Sequence, residues 1–450
     1  MREHSGLLTD LYELTMAAGY LQTRFEARAT FELFVRHLPP RRNYLVAAGL
    51  EQALQFLENV HFTAEEIAYL RRHPVFRNIR DEFFDYLAKF RFTGDVWAMP
   101  EGTLLFPGEP MLRVVAPIIE GQIMETYLLA TLSYQTMIAS KAARVVTAAQ
   151  GRQIVEFGAR RAHGSQASLW AARGAAIGGA QGTSNVLAGQ QFGMETYGTQ
   201  AHSWVMAHED EAEAFRHFLD AFPEHAVLLL DTYDVRNAVK RIIGMGRKPA
   251  GVRLDSGNLA KASQWVRREL DRAGWKDVKI FASGDLDETK IAALLSKHAA
   301  IDAFGVGTAL ATPGDAPHLN LVYKLVEVER AGKVREAAKL SMAKVTYPGR
   351  KQVFRSQTSA GQYAGDQIAL DGELPNGSAP LLIEVMRGGR RIAPVESVGA
   401  LRKRCMAGLA RLPQRYRQIN RTAAYPVRYS KRLETLLEKV RRRIRRSALE

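Results

Sequence analysis

Cysteine is almost missing from this chain: there is one, Cys405, in 450 residues. A single thiol excludes an intrachain disulfide framework and a Cys-rich zinc site, and it fits a reducing compartment. No stretch approaches the roughly 18 uninterrupted apolar residues that a membrane span needs. The opening segment, MREHSGLLTDLYELTM, lacks the apolar centre of a secretion signal. A cytoplasmic protein without membrane attachment is the expectation. Internal repeats and low-complexity runs are also lacking. What is present, 46% hydrophobic and 24% charged residues, suits a soluble chain able to bury a large core in two or three layers or domains.

Neutrality is lacking too: the formal net charge is +15. Its distribution decides what it means. Residues 401–450 hold 16 Lys and Arg against 3 Glu, a surplus of +13, so the rest of the chain is close to neutral and is not a general polyanion binder. Within that tail Leu433, Leu436, Leu437 and Val440 recur at helical spacing, and residues 430–446 read as a packed amphipathic helix with a solvated basic face. A nucleic-acid-binding role for residues 401–446 is the competing reading, and no recognisable reading motif supports it.

Three regions differ in rhythm. Residues 1–150 mix short strands, such as 30–35, with apolar-periodic helices, including a long one over 122–150, and read as a supporting domain. Residues 151–320 alternate short apolar strands with helical patterns. The strands are expected at 153–157, 179–182, 195–199, 227–230, 251–254, 279–282 and 303–306. Residues 321–450 are expected to return to the first domain, with strands at 321–328 and 340–345, a turn-rich stretch over 361–389 and the basic helical tail. Seven strand–helix units in series suggest a parallel α/β barrel, in which the strand ends gather on one rim. Those ends read EFGARR, QGTSN, YGTQAHS, LLDTYD, VRLDSGN, ASGD and GVGT, so polar and glycine-rich chemistry recurs at one phase of successive units.

Several of these ends could carry chemistry. Ser283-Gly284-Asp285 and Gly305-Val306-Gly307-Thr308 are small turns after apolar strands, where backbone N–H groups can approach phosphate oxygens. Asp255 could accept from a ribose diol or meet a Mg²⁺, or Asp255-Ser256 could simply cap the next helix. Asp231 and Asp234 offer further carboxylates, one of them a plausible cap. Arg160 and Arg161 suit bidentate contacts to carboxylate or phosphate, although surface salt bridges are the common alternative. His202 follows a strand end where an imidazole can act as acid, base or nucleophile, while His163 and His208 lie nearby and chemistry alone does not rank the three.

Taken together, Leu8-Thr9-Asp10-Leu11-Tyr12, Glu156-Phe157-Gly158-Ala159-Arg160-Arg161, the run from Gly182 to Gly189, Gly198-Thr199-Gln200-Ala201-His202-Ser203, the run from Val252 to Gly257, and the run from Gly305 to Thr308 resemble the nicotinate phosphoribosyltransferase family over nearly the whole chain. The resemblance implies an irregular parallel α/β barrel with an additional α/β open-faced sandwich built from both chain ends. It also implies a head-to-tail homodimer with active sites shared across the interface. The substrates it implies are nicotinate and phosphoribosyl pyrophosphate, with Mg²⁺ and ATP as a co-substrate. By the same resemblance the pyridine ring stacks between Phe157 and Tyr12 of the second subunit, with Arg160, Thr199 and Arg253 around it. Asp255 meets the ribose, Arg161 and Ser283 border the phosphoribosyl group, and Gly284, Asp285, Gly305, Gly307 and Thr308 form the phosphate cradle. His202 matches the family's phosphorylated histidine. Ser184 stands where related nicotinamide enzymes have an Asp, so it avoids repelling a nicotinate carboxylate. Nicotinamide or quinolinate phosphoribosyltransferase activity is the alternative within the class, and a catalytically silent barrel is disfavoured by the joint presence of Arg160, His202 and Asp255.

Overall fold

The computed structural model describes residues 4–341, 344–375 and 378–447; the strand expected over 340–345 falls partly outside them, and the last three residues of the basic tail fall wholly outside. Two seven-stranded sheets organise the chain. The first is antiparallel and runs Lys333–Glu336, Leu321–Arg330, Arg28–Val35, Pro110–Pro117, Asp95–Ala98, Ile383–Arg387, Arg390–Arg391, so strands from both chain ends interleave. Its middle strand, RATFELFV, is buried at seven of eight positions. Glu32 within it is fully buried and meets Lys351 Nζ at 2.7 Å, a residue of a four-stranded sheet formed by Ala379–Pro380, Lys351–Gln357, Tyr363–Leu370 and Val427–Tyr429. Isolated burial of either charge would be costly, and the pairing removes that cost. The stretch 361–389, expected to be turn-rich, contributes three strands, Tyr363–Leu370, Ala379–Pro380 and Ile383–Arg387, with turns at 371–372 and 388–389.

The second sheet is wholly parallel, in the order Glu195–Thr196, Gly182–Thr183, Gln153–Glu156, Ala303–Val306, Lys279–Ala282, Gly251–Leu254, Val227–Leu229. All seven expected strands are there, three of them with the expected bounds. The strand placed at 179–182 begins only at Gly182. Residues before it turn out of the helix Ser165–Ile177, whose end packs so tightly on the neighbouring long helix that a Cβ on Gly178 would lie 2.2 Å from the Ala139 carbonyl oxygen. The two edge strands are not laddered to one another. Buried Gln200 stitches them instead: its N–H donates to the Val227 carbonyl at 3.1 Å and its Oε1 accepts from the Leu229 N–H at 3.2 Å. The sheet thereby curls into an irregular barrel.

The helix expected over 122–150 is two, Ile118–Ile123 and Glu125–Ala148. The longer one packs between the two sheets, which is why its polar residues are buried. Lys141 and Arg144 meet Glu288, with Lys141 Nζ 2.6 Å and Arg144 Nε 3.0 Å from its carboxylate, and Asp315 takes Lys141 at 3.0 Å and Arg42 at 2.7 Å. Glu288 opens the helix after the 283–285 turn, and Asp315 follows the 305–308 turn, so this cluster fixes both turns against the scaffold. The basic end forms the helix Lys431–Ser447, with Leu433, Leu437 and Val440 buried as expected.

Burial raises the Asp315 carboxyl, but the Arg42 and Lys141 charges outweigh it and hold the group down at about 2. A carboxylate with a depressed folded value stabilises the fold above its unfolded value and ceases to do so as the pH falls through the folded one. Asp315→Asn should therefore lower the urea midpoint at every pH above about 4, the ordinary Asp range, and the mutant and wild-type midpoints should converge as the pH approaches 2. A constant gap across that range would remove Asp315 from this role.

Candidate active site

The carboxyl-terminal ends of the parallel strands surround a cavity of about 230 Å³. Phe157, Arg160, Arg161, Arg253, Asp255, Ser283, Gly284, Asp285, Gly305, Gly307 and Thr308 line it, and all of them are residues singled out from the sequence. At its centre the Arg253 side chain reaches three neighbours: Nε donates to Ser283 Oγ at 2.8 Å, Nη1 to Thr199 Oγ1 at 2.9 Å and Nη2 to Asp255 Oδ1 at 2.6 Å. The Ser283 hydroxyl donates to the same Asp255 oxygen. Burial raises the Asp255 carboxyl, yet the Ser283 hydroxyl and the Arg253 guanidinium together leave it below the ordinary range, so it is a carboxylate at neutral pH. It caps no helix: Asn258 fills that position, accepting from the Lys261 N–H at 3.1 Å.

Two neighbouring carboxylates divide their roles. Asp234 caps the next helix, accepting from the Asn237 N–H at 2.8 Å. Asp231 accepts instead from the Asp255 N–H at 2.9 Å and the Ser256 hydroxyl at 2.5 Å, holding the 255–256 turn in place. Among the three histidines, geometry singles out His202. Its Nε2 lies 3.9 Å from Asp255 Oδ2 and its Nδ1 3.2 Å from Thr232 Oγ1. His208 turns to the Trp204 carbonyl at 2.7 Å, and His163 is exposed.

Glycine is required here for reasons the sequence only half discloses. Gly284 has φ +97°, and a Cβ there would lie 2.0 Å from the Asp255 carbonyl oxygen. Gly305 lies beneath the Phe157 ring, where a Cβ would come within 2.5 Å of the ring edge, so this glycine makes room for an aromatic side chain as much as for a phosphate. The Arg253 guanidinium carbon stands 5.9 Å from the centre of the same ring. Below Phe157, fully buried Glu156 accepts from the Gly158 N–H and from the Thr183 hydroxyl at 2.6 Å; burial raises its carboxyl, an effect those two bonds only partly offset. Glu156 and Thr183 were not anticipated as site residues. A charge at the end of an otherwise apolar strand was the available signal.

Arg160 and Arg161 occupy a short helical turn at the mouth, exposed and without a hydrogen bond or ion pair among the described residues. Four anticipated residues lie outside the cavity lining: Thr199 and His202 are tied to it through Arg253 and Asp255, whereas Ser184 and Tyr12 stand apart. Ser184 is exposed, its N–H bonded to the Glu156 carbonyl at 2.9 Å. Tyr12 is 48% exposed on the helix Leu11–Gln22, where burial and the nearby Glu125 and Glu13 carboxylates raise its phenol.

A parallel barrel whose rim gathers glycine turns, a held carboxylate and unpaired guanidiniums around one cavity has the arrangement of an α/β-barrel enzyme. Comparison with known proteins makes that class particular. Residues 7–133 match the nicotinate phosphoribosyltransferase N-terminal domain, 152–367 the nicotinate phosphoribosyltransferase family and 375–437 the corresponding C-terminal domain. A nicotinate phosphoribosyltransferase of Mycobacterium tuberculosis is 45% identical, with 98% of this chain and 95% of the relative covered, and one of Bacillus subtilis is 43% identical, with 82% and 77% covered. The crystal structure of human nicotinic acid phosphoribosyltransferase superposes with a TM-score of 0.84 at 29% identity, covering 96% of this chain and 99% of that one. The chain belongs to the nicotinate phosphoribosyltransferase family.

Gly305→Ala should cost about 1–3 kcal/mol of stability by overpacking against Phe157, and the same change in a Phe157→Ala background should cost far less. Thermal unfolding of the four proteins checks this; equal costs in both backgrounds would separate Gly305 from the ring.

Proposed function

We propose that the chain transfers the phosphoribosyl group of phosphoribosyl pyrophosphate to the ring nitrogen of nicotinate, giving nicotinate mononucleotide and pyrophosphate, in nicotinate salvage for NAD in the cytoplasm. The observation that carries this reading is the bonded set Arg253–Asp255–Ser283–Thr199 between the Phe157 ring and the glycine turns. The turns at 283–285 and 305–308 receive the 5-phosphate on their N–H groups, Asp255 accepts from the ribose hydroxyls, and Phe157 stacks on the flat pyridine. The uncommitted guanidiniums of Arg160 and Arg161 meet the nicotinate carboxylate and phosphate oxygens. Exposed Ser184 presents no charge to that carboxylate, which favours nicotinate over nicotinamide.

In the reaction the bond from ribose C1 to the pyrophosphate oxygen breaks, its electron pair leaves with pyrophosphate, and the nicotinate nitrogen lone pair forms the new bond to C1. No strong base is needed, so the protein's contribution is position and field. Among the described residues no group of three or more His, Cys, Asp or Glu side chains is placed to hold a metal. Asp255 is the rim carboxylate that would hold a Mg²⁺, which when bound would neutralise the charge of the leaving pyrophosphate. A nitrogen of His202 takes the γ-phosphoryl group of ATP, the β–γ phosphoanhydride bond breaking and ADP leaving; the added charge orders the rim before transfer, and hydrolysis of the N–P bond to phosphate drives the reaction forward.

The site is completed by a second copy. Val186, Met206 and Tyr233 at the rim are 75%, 66% and 65% exposed, and Leu8, Leu11 and Tyr12 form another exposed apolar group. Two different patches suit a head-to-tail homodimer that brings Tyr12 of one copy to Phe157 of the other. The alternative of a nucleic-acid role for the basic end has less support, since the apolar face of the last helix is already packed on the protein.

With labelled nicotinate, phosphoribosyl pyrophosphate and Mg²⁺, wild type should form nicotinate mononucleotide, and ATP should stimulate it only where His202 is intact, not in His202→Ala. Product from nicotinamide or quinolinate instead would change the substrate. For the shared site, Tyr12→Ala and Arg160→Ala should each be impaired alone, while mixing and reassembling them should restore about a quarter of wild-type sites. No recovery in verified mixed dimers would place Tyr12 outside the site.

A further inference from the structure

We propose that the chain carries a second anion site, for a phosphate-bearing ligand of nucleotide size, on the barrel face opposite the catalytic rim. Thr147, Ala148 and Gln150 border it, and they lead into the amino-terminal end of the strand Gln153–Glu156, whose other end carries Phe157. The cavity is about 450 Å³, within the range of small-molecule sites.

No carboxylate lines this cavity. Arg417 faces it with its Nε buried and without a hydrogen-bond partner among the described residues, a costly arrangement for a guanidinium unless an acceptor arrives. Arg421, Gln150, Gln414 and Asn420 add side-chain donors that bond no other described residue. Ala148, Ala292 and Ile419 give an apolar floor suited to a flat ring. Two guanidinium forks and several amides over such a floor match a phosphate ester better than a carboxylate alone. The wall is preformed, because buried Asn43 donates from Nδ2 to the Gln418 and Arg421 carbonyls at 3.2 and 2.9 Å and accepts from the Ala423 N–H at 2.9 Å.

The site also touches the scaffold of the catalytic turns. The Ile419 carbonyl accepts from Arg144 Nη2 at 2.8 Å, and Arg144 Nε donates to Glu288, the residue that opens the helix after Ser283-Gly284-Asp285. A ligand that shifts the 417–421 segment therefore acts on the group that positions the phosphate turn, and its binding is linked to that of phosphoribosyl pyrophosphate.

Equilibrium dialysis of the full chain with radiolabelled AMP, in saturating phosphoribosyl pyrophosphate, tests this. Wild type should bind AMP under these conditions; Arg417→Ala should weaken it by about tenfold or more, and Gln414→Glu, which places a like charge at the mouth, should do the same. Both variants should keep wild-type nicotinate mononucleotide formation when AMP is absent. Loss of AMP binding on adding phosphoribosyl pyrophosphate, or equal binding by wild type and both variants, would overturn the proposal. A chain that binds AMP as described but forms no mononucleotide would overturn the catalytic reading and leave this site standing.

Discussion

The Arg253 guanidinium commits its donors to groups at three different strand ends, Thr199, Asp255 and Ser283, and the geometry of the rim depends on that commitment. Hydrogen bonds to charged groups contribute about 1.5–3 kcal/mol each, enough to hold this largely buried arginine in one rotamer against its entropy. Once Arg253 is fixed, Asp255 is fixed, and with it the carbonyl against which Gly284 turns. Carboxylate, turn and aromatic ring are thus parts of one arrangement rather than separate contributions. A barrel of short parallel strands otherwise leaves its rim as loops, and loops order poorly without such ties.

The rim in turn depends on a buried layer beneath it. Arg42, Lys141 and Arg144 share Glu288 and Asp315, three cations against two carboxylates, with Lys141 and Arg144 on one helix and the other three drawn from separate segments. Buried charges of this kind are a weak source of stability but a strict specification of geometry, since losing one partner leaves another stranded. Here the specification falls on the two glycine turns of the rim, 283–285 and 305–308. The same layer reaches the Ile419 carbonyl at the second cavity, so both ends of the barrel answer to one set of ion pairs.

Much of this was legible in the sequence. Seven apolar stretches each ending in Gly, Ser, Thr or Asp give the barrel strands and the rim, because period and punctuation are local properties; Gly251–Leu254, Lys279–Ala282 and Ala303–Val306 appear at the expected bounds. What escaped was non-local. The bond of Asp231 to the 255–256 turn, the closure of the sheet through Gln200, and the dependence of Gly305 on the Phe157 ring each join residues from different units. Glu156 was quoted within a motif and passed over, since burial is invisible until neighbouring strands cover it. The stretch 361–389 misled because Gly365 lies inside a strand, where the Pro426 carbonyl oxygen would come within 3.1 Å of a Cβ, and composition cannot separate such a glycine from one in a turn.

The strand-end network is proposed as a phosphoribosyl cradle. A crystal structure of the protein with phosphoribosyl pyrophosphate bound tests it most directly. The 5-phosphate should lie on the N–H groups of the 283–285 and 305–308 turns and the ribose diol on Asp255, with the Arg253 contacts to Ser283 and Thr199 retained. A phosphate seated elsewhere, or an Arg253 that swings free of both hydroxyls, would contradict it.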